Sequence, residues 1–129
     1  MPDSATRVRG VGTRLWAWRA GFVLACLVQL YGLYSPHQAG PDTSSIPYSD
    51  KVAHFAIFVA VAYLGLRVGV PARWLLAALV VQAIGSEFVQ HYLLPDRSGD
   101  PFDSLADLLG TATGAWLGFR AVQKSRGTT

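Results

Sequence analysis

The chain has 129 residues, of which 51% are hydrophobic and 15% charged, and its net charge is +3. Its length suits one domain, and its charged share lies well below the ~25% usual in soluble domains, which argues against an ordinary soluble protein. An isoelectric point near 9.4 would allow nucleic-acid binding, but the basic residues gather at segment ends instead of forming a stripe, so no nucleic-acid partner is expected.

The first apolar segment, "LWAWRAGFVLACLVQLYGLY", runs from Leu15 to Tyr34. It follows Arg7, Arg9 and Arg14, as the apolar part of a signal peptide would. Arg19 interrupts it, however, and no small-x-small cleavage site follows, so it is read as a membrane span. Cys26 lies among Val, Leu and Ala and has no partner cysteine, which excludes an internal disulfide. A Pro/Gly/Ser-rich loop containing His37 follows. The second segment runs from about Val52 to Val70, after Asp50, Lys51 and then His54. "GVPAR" makes the next turn, with Pro71 placed to open the third segment, Trp74 to Leu94. That segment ends in "GSEFVQHYLLP", which carries Glu87, Gln90 and His91. The turn "PDRSGDPFD" holds Arg97 and leads to the fourth segment, about Ser104 to Val122, with Asp103 expected as its N-cap and Asp107 one turn on. Asp50 is expected to cap the second helix in the same way.

Each segment is close to the ~20 residues that carry an α-helix across ~30 Å of hydrocarbon. Helix is the default there because it satisfies its own backbone. The fold class expected is all-α: a four-transmembrane-helix bundle over 15–122, between an amino-terminal tail (1–14) and a carboxyl-terminal tail (123–129). Four crossings put both termini and the second linker on one side. That side carries Arg7, Arg9, Arg14, Arg19, Arg67, Arg73, Arg120, Lys124 and Arg126, against Lys51 and Arg97 on the other. The positive-inside rule then makes both termini cytoplasmic. The three polar clusters, at the start of the second segment, the end of the third and the start of the fourth, all fall at the outer face.

Spacing sharpens this placement. Asp50 and His54 share a helix face, as do Glu87, Gln90 and His91, and as do Asp103 and Asp107. Glu87 lies roughly 12 Å before Pro95 along a helix, too deep for an ionised carboxylate to face lipid. It must face the bundle, a wet cavity or a partner, and His54, Lys51 and Arg97 are the nearest candidates. Gln29 and Gln82 read as interhelical hydrogen-bonding groups. Ala106, Gly110, Gly114 and Gly118 recur every four residues and form a small-residue stripe that lets helices pack closely, within the chain or between chains of an oligomer.

The ordered set "DKVAHF…SEFVQ…PDR…DSLADLLG" resembles the VanZ-like family of small bacterial membrane proteins. Asp50, Lys51, His54, Glu87, Gln90, Arg97, Asp103 and Gly110 match the family pattern in order. Asp107 stands where that pattern usually has Asn, and so adds a negative charge. The family takes its name from a protein associated with teicoplanin resistance. The resemblance implies a multi-pass protein of the bacterial cytoplasmic membrane that acts on the cell envelope.

Two functions follow as expectations. In the first, the outward pocket of Asp50, Lys51, His54, Glu87, Gln90, Arg97, Asp103 and Asp107 binds the head group of an envelope lipid or cell-wall precursor. Lys51 and Arg97 would meet phosphate or carboxylate there, Glu87, Gln90 and Asp107 would meet hydroxyls, amides or amines, and binding would alter glycopeptide susceptibility. In the second, the chain is an enzyme on a lipid-linked substrate, with His54 and Glu87 as acid and base and Arg97 stabilising negative charge. A metal on His54, Glu87 and Asp107 lacks any HExxH or CxxC pair to support it, so no metal and no cofactor are expected. A transporter is disfavoured because the inner halves of the spans are largely apolar.

Overall fold

The computed structural model describes residues 4–36 and 46–128, with side chains from residue 10 onward. His37 and most of its loop lie outside the described residues. The described residues form four α-helices and no strand: α1 (Ser4–Tyr34), α2 (Ser49–Arg67), α3 (Ala72–Leu93) and α4 (Pro101–Arg126). The fold is all-α. Three stretches are long and apolar enough to cross a membrane: Gly10–Tyr34, Ser49–Arg67 and Ala72–Leu93. α4 carries Asp103, Asp107, Arg120, Lys124 and Arg126 and falls outside that group.

Helix boundaries follow local chemistry more closely than the hydrophobic runs suggest. α4 begins three residues before the expected start because Asp100, not Asp103, is its N-cap. The Asp100 carboxylate accepts from the Phe102 N–H at 2.9 Å, and Pro101 takes a first-turn position where a missing N–H costs nothing. Asp50 does not cap α2 either. The cap is Tyr48, in a left-handed conformation at φ 61° and without a side-chain cap bond, and Asp50 lies in the first turn. At the other end of α2, Gly69 adopts φ 89°. Its N–H bonds to Leu66 O and that of Val70 to Gly65 O, a Schellman closure that turns the chain into α3. Pro71 stands at the N-cap of α3, just outside it. The expected amino-terminal tail is helical from Ser4, continuous with α1.

α2 is the central element. It packs most extensively on α4 and also touches α1 and α3, while α3 completes the bundle against α4 and α1. Among the described residues, α1 and α4 do not meet. The α2–α4 contact is made by glycine. A Cβ at Gly110 would strike the Phe55 carbonyl oxygen, one at Gly114 the Val59 carbonyl oxygen, and one at Gly118 would come within 2.8 Å of the Leu66 side chain. The small-residue stripe is therefore taken up by α2 of the same chain. Phe58, Val61, Ala62, Leu66, Leu75, Leu79, Ala83 and Ala115 form the adjoining apolar core.

Candidate functional site: a polar cluster at one end of the bundle

The α2–α4 contact sets the register of the site. With Gly110 against Phe55 and Gly114 against Val59, the first turns of both helices lie side by side. His54 Nδ1 then faces Asp107 Oδ1 at 2.9 Å. Asp107 is fully buried and the imidazole nearly so. One turn nearer the helix ends, Lys51 Nζ sits among three carboxylates. It is 2.8 Å from Asp100, 3.2 Å from Asp50 and 3.2 Å from Asp103. It donates hydrogen bonds to Asp100 and Asp50, whereas its approach to Asp103 Oδ1 is an ion pair without hydrogen-bond alignment. The ammonium beside Asp100 holds that loop carboxyl below the usual carboxylate range, with the Phe102 N–H adding to the effect.

Glu87 enters from α3. Its Oε2 accepts the Asp100 backbone N–H at 2.7 Å, tying α3 to the start of α4. Gly99 makes this approach possible, because a Cβ there would lie 2.8 Å from His91 Cβ and 2.9 Å from the Glu87 carbonyl oxygen. Ser104 strengthens the same joint by donating to Ala83 O at 2.6 Å. Glu87, His54, Asp103 and Asp107 are close enough to feel one another's charge.

Gln90 and Arg97 serve a different place. The Gln90 amide donates to Leu33 O at 2.9 Å and Arg97 donates to Gly32 O at 3.0 Å. Both acceptors lie in the last turn of α1, where carbonyls lack intrahelical partners, and that turn holds no basic residue of its own. Gln90 and Arg97 therefore cap α1, and the Arg97 cation meets the negative end of its dipole. This corrects the expected partners of Glu87: of His54, Lys51 and Arg97, none hydrogen-bonds to it, and a backbone amide does. His91 turns outward and is exposed, stacking edge-on against Tyr92 at 4.6 Å, so it parts from Glu87 and Gln90.

Among the described residues, five buried side-chain polar atoms lack hydrogen-bond partners: Gln29 Nε2, Ser86 Oγ, Glu87 Oε1, Asp103 Oδ1 and Asp107 Oδ2. The interhelical bond expected of Gln29 is not made by its amide nitrogen. No group of three His, Cys, Asp or Glu among the described residues is arranged to hold a metal ion. Asp100, Ser86 and Gly99 escaped the sequence reading. The Asp-Pro step at Asp100–Pro101 was the available signal for Asp100, since it marks an N-cap followed by proline. Nothing local marked Ser86 or Gly99.

The arrangement offers two kinds of chemistry. The first is recognition of a polar group by acceptors from three helices. The second is proton exchange through a histidine whose Nδ1 is set by a buried carboxylate. No family model, curated protein or solved structure matches the chain.

Proposed function

We propose that the chain is a VanZ-like protein of the bacterial cytoplasmic membrane. In this reading its polar cluster faces outward and binds the head group of an envelope lipid or cell-wall precursor, altering glycopeptide susceptibility. The observation that carries the binding role is the inward convergence of Lys51, His54, Glu87, Asp103 and Asp107 from three helices at one end of the bundle. Charges that served only solubility would point outward. Groups turned inward at an apolar bundle's end need a partner that offsets their desolvation.

In this reading α4 is the fourth crossing. Ser104–Val122 would span about 28 Å as a helix. Its acids are paired inside the chain, its glycines lie on α2, and Arg120, Lys124 and Arg126 can reach the headgroups at its end. With four crossings, the basic-residue bias supports a reading in which both termini are cytoplasmic.

The test is glycopeptide susceptibility in a bacterial host expressing the chain, with membrane-inserted protein quantified in parallel. Glu87→Gln, His54→Ala and Asp107→Asn are expected to abolish the phenotype per unit of membrane-inserted protein. Full phenotype in all three rejects the binding role.

The 2.9 Å contact between His54 and Asp107 favours a second reading, a membrane enzyme. His54, oriented by Asp107, would exchange a proton with a lipid-linked substrate and Glu87 would act as the second acid-base group. A new mass among envelope lipids on overexpression, absent with His54→Ala, identifies the enzyme. Unchanged lipid masses with altered drug binding identify the binder.

A further inference from the structure

The geometry points to a ligand that presents a primary ammonium group, not a phosphate or carboxylate, to the free carboxylate oxygens of Glu87 and Asp107. This rests on the reading of the polar cluster as a binding site, and it chooses the amine among the ligand groups that the sequence allowed.

The cluster's cations are already committed. Lys51 is shared among Asp50, Asp100 and Asp103. Arg97 is directed to the last turn of α1, and α1 does not touch α4 among the described residues. An incoming phosphate would therefore have to displace carboxylates from Lys51 while facing Glu87 and Asp107. Five carboxylates, Asp50, Glu87, Asp100, Asp103 and Asp107, surround one lysine and one histidine, so the local balance is negative. Independently of that balance, Asp107 is fully buried and keeps Oδ2 without a partner, and Glu87 keeps Oε1 buried and without a partner. Both belong to the same end of the bundle: Glu87 holds the backbone of Asp100, and Asp107 lies on the helix that Asp100 caps. These are acceptors on two helices, held by their other oxygens: Asp107 Oδ1 on His54, Glu87 Oε2 on the Asp100 N–H.

A primary ammonium is three donors and one positive charge, which suits two carboxylate acceptors and offsets the negative balance that Lys51 does not reach. A divalent metal fits less well, because no three ligating residues are arranged for it among the described residues. The same ammonium chemistry occurs in an amino-headgroup phospholipid and in a soluble amine, and the experiment separates the two.

The full chain is placed in phosphatidylcholine nanodiscs and its thermal unfolding followed with methylammonium, tetramethylammonium or inorganic phosphate. Methylammonium is expected to raise the midpoint saturably. Tetramethylammonium, which has no N–H, and phosphate are expected not to. Asp107→Asn and Glu87→Gln should each weaken the methylammonium effect about tenfold or more. The amide introduced by Glu87→Gln retains an oxygen to accept the Asp100 N–H, so the fold is expected to survive. Nanodiscs containing phosphatidylethanolamine complete the design. If that lipid alone stabilises the chain and removes the response to methylammonium, the amine is a lipid headgroup; if it does neither, the amine is soluble. Stabilisation by phosphate but not by methylammonium overturns the proposal and leaves the binding site standing. No response to any probe or lipid overturns both. A methylammonium effect untouched by either variant also overturns the proposal.

Discussion

The two ends of this bundle treat charge in opposite ways. At one end, Lys51 and His54 of α2 pair with acids at the start of α4, and Glu87 of α3 accepts the Asp100 N–H. At the other, each of the chain's four tryptophans has an arginine over its ring. Arg67 lies 4.7 Å from Trp18, Arg120 4.8 Å from Trp116, Arg73 5.6 Å from Trp74 and Arg19 5.7 Å from Trp16. Trp16, Trp74 and Trp116 are broadly exposed, as suits rings and guanidinium groups at a headgroup boundary. The difference teaches which charges bear on the fold: those of the aromatic end meet their surroundings one helix at a time, with the Arg67–Trp18 stack bridging α1 and α2, while those of the polar end depend on three helices being in register.

The comparison is broken most directly by deleting one charge from each end. Asp107→Ala leaves His54 facing a buried void and should cost about 3 kcal/mol of stability, since removing one partner of a buried pair is strongly destabilising. Arg120→Ala loses an exposed stack and should cost under about 1 kcal/mol. Unfolding of the reconstituted protein by denaturing detergent measures both. Equal costs would mean that the polar end is no more interdependent than the aromatic one.

Next in size is the glycine contact that aligns the polar end. Gly114→Val forces a side chain into the Val59 carbonyl oxygen and Ala62, and should cost about 2 kcal/mol by overpacking. Gly85, within α3, has open space where its Cβ would be. Gly85→Ala should therefore be neutral or stabilising, by up to about 1 kcal/mol, through helix propensity. If Gly114→Val is as mild as Gly85→Ala, α2 and α4 do not pack as described. Lys51→Met comes third, at about 1 kcal/mol, because it leaves nearly buried Asp103 beside unscreened Asp50 and Asp100. Lys51→Arg should recover most of that loss in the same assay, whereas a shortfall equal to Met would make the charge irrelevant.

Much of this was legible from spacing. Asp103 and Asp107 four residues apart, and Asp50 and His54 likewise, announced shared faces, and the glycine repeat announced close approach. Periodicity could not tell which neighbour each face meets. Gln90 lies one turn beyond Ser86 and three residues beyond Glu87, yet it serves the end of α1, because the last carbonyls of a helix draw donors from wherever the fold provides them. Arg97 looked like an anion-binding residue for the same reason: its sequence position shows its charge but not the dipole it completes. Asp100 was missed because Asp103 offered an equally good capping residue three positions later. Only Pro101 breaks that tie, by fitting the first turn after Asp100.

Asp100 supplies the smallest and most specific test of the polar end. Its carboxylate pairs with Lys51 while also capping α4. Lys51 holds its folded-state pKa below the ordinary carboxylate range. A lowered folded value means that the contribution is complete above the ordinary range and fades as pH falls through the folded value. Asp100→Asn separates the two roles, because asparagine caps a helix as well as aspartate does but carries no charge. The variant is expected to be slightly less stable than the parent at pH 7, an exposed pair being weak. The gap should begin to narrow below about pH 4, the ordinary carboxylate range, and vanish once pH has fallen through the lower folded value. High salt should close it too, since a partly exposed pair is screened. No gap at pH 7 would assign Asp100's contribution to the cap alone. Lys51 would then belong to Asp50 and Asp103, and α4 would be held to the polar end by Asp103 and Asp107 without help from its own N-cap.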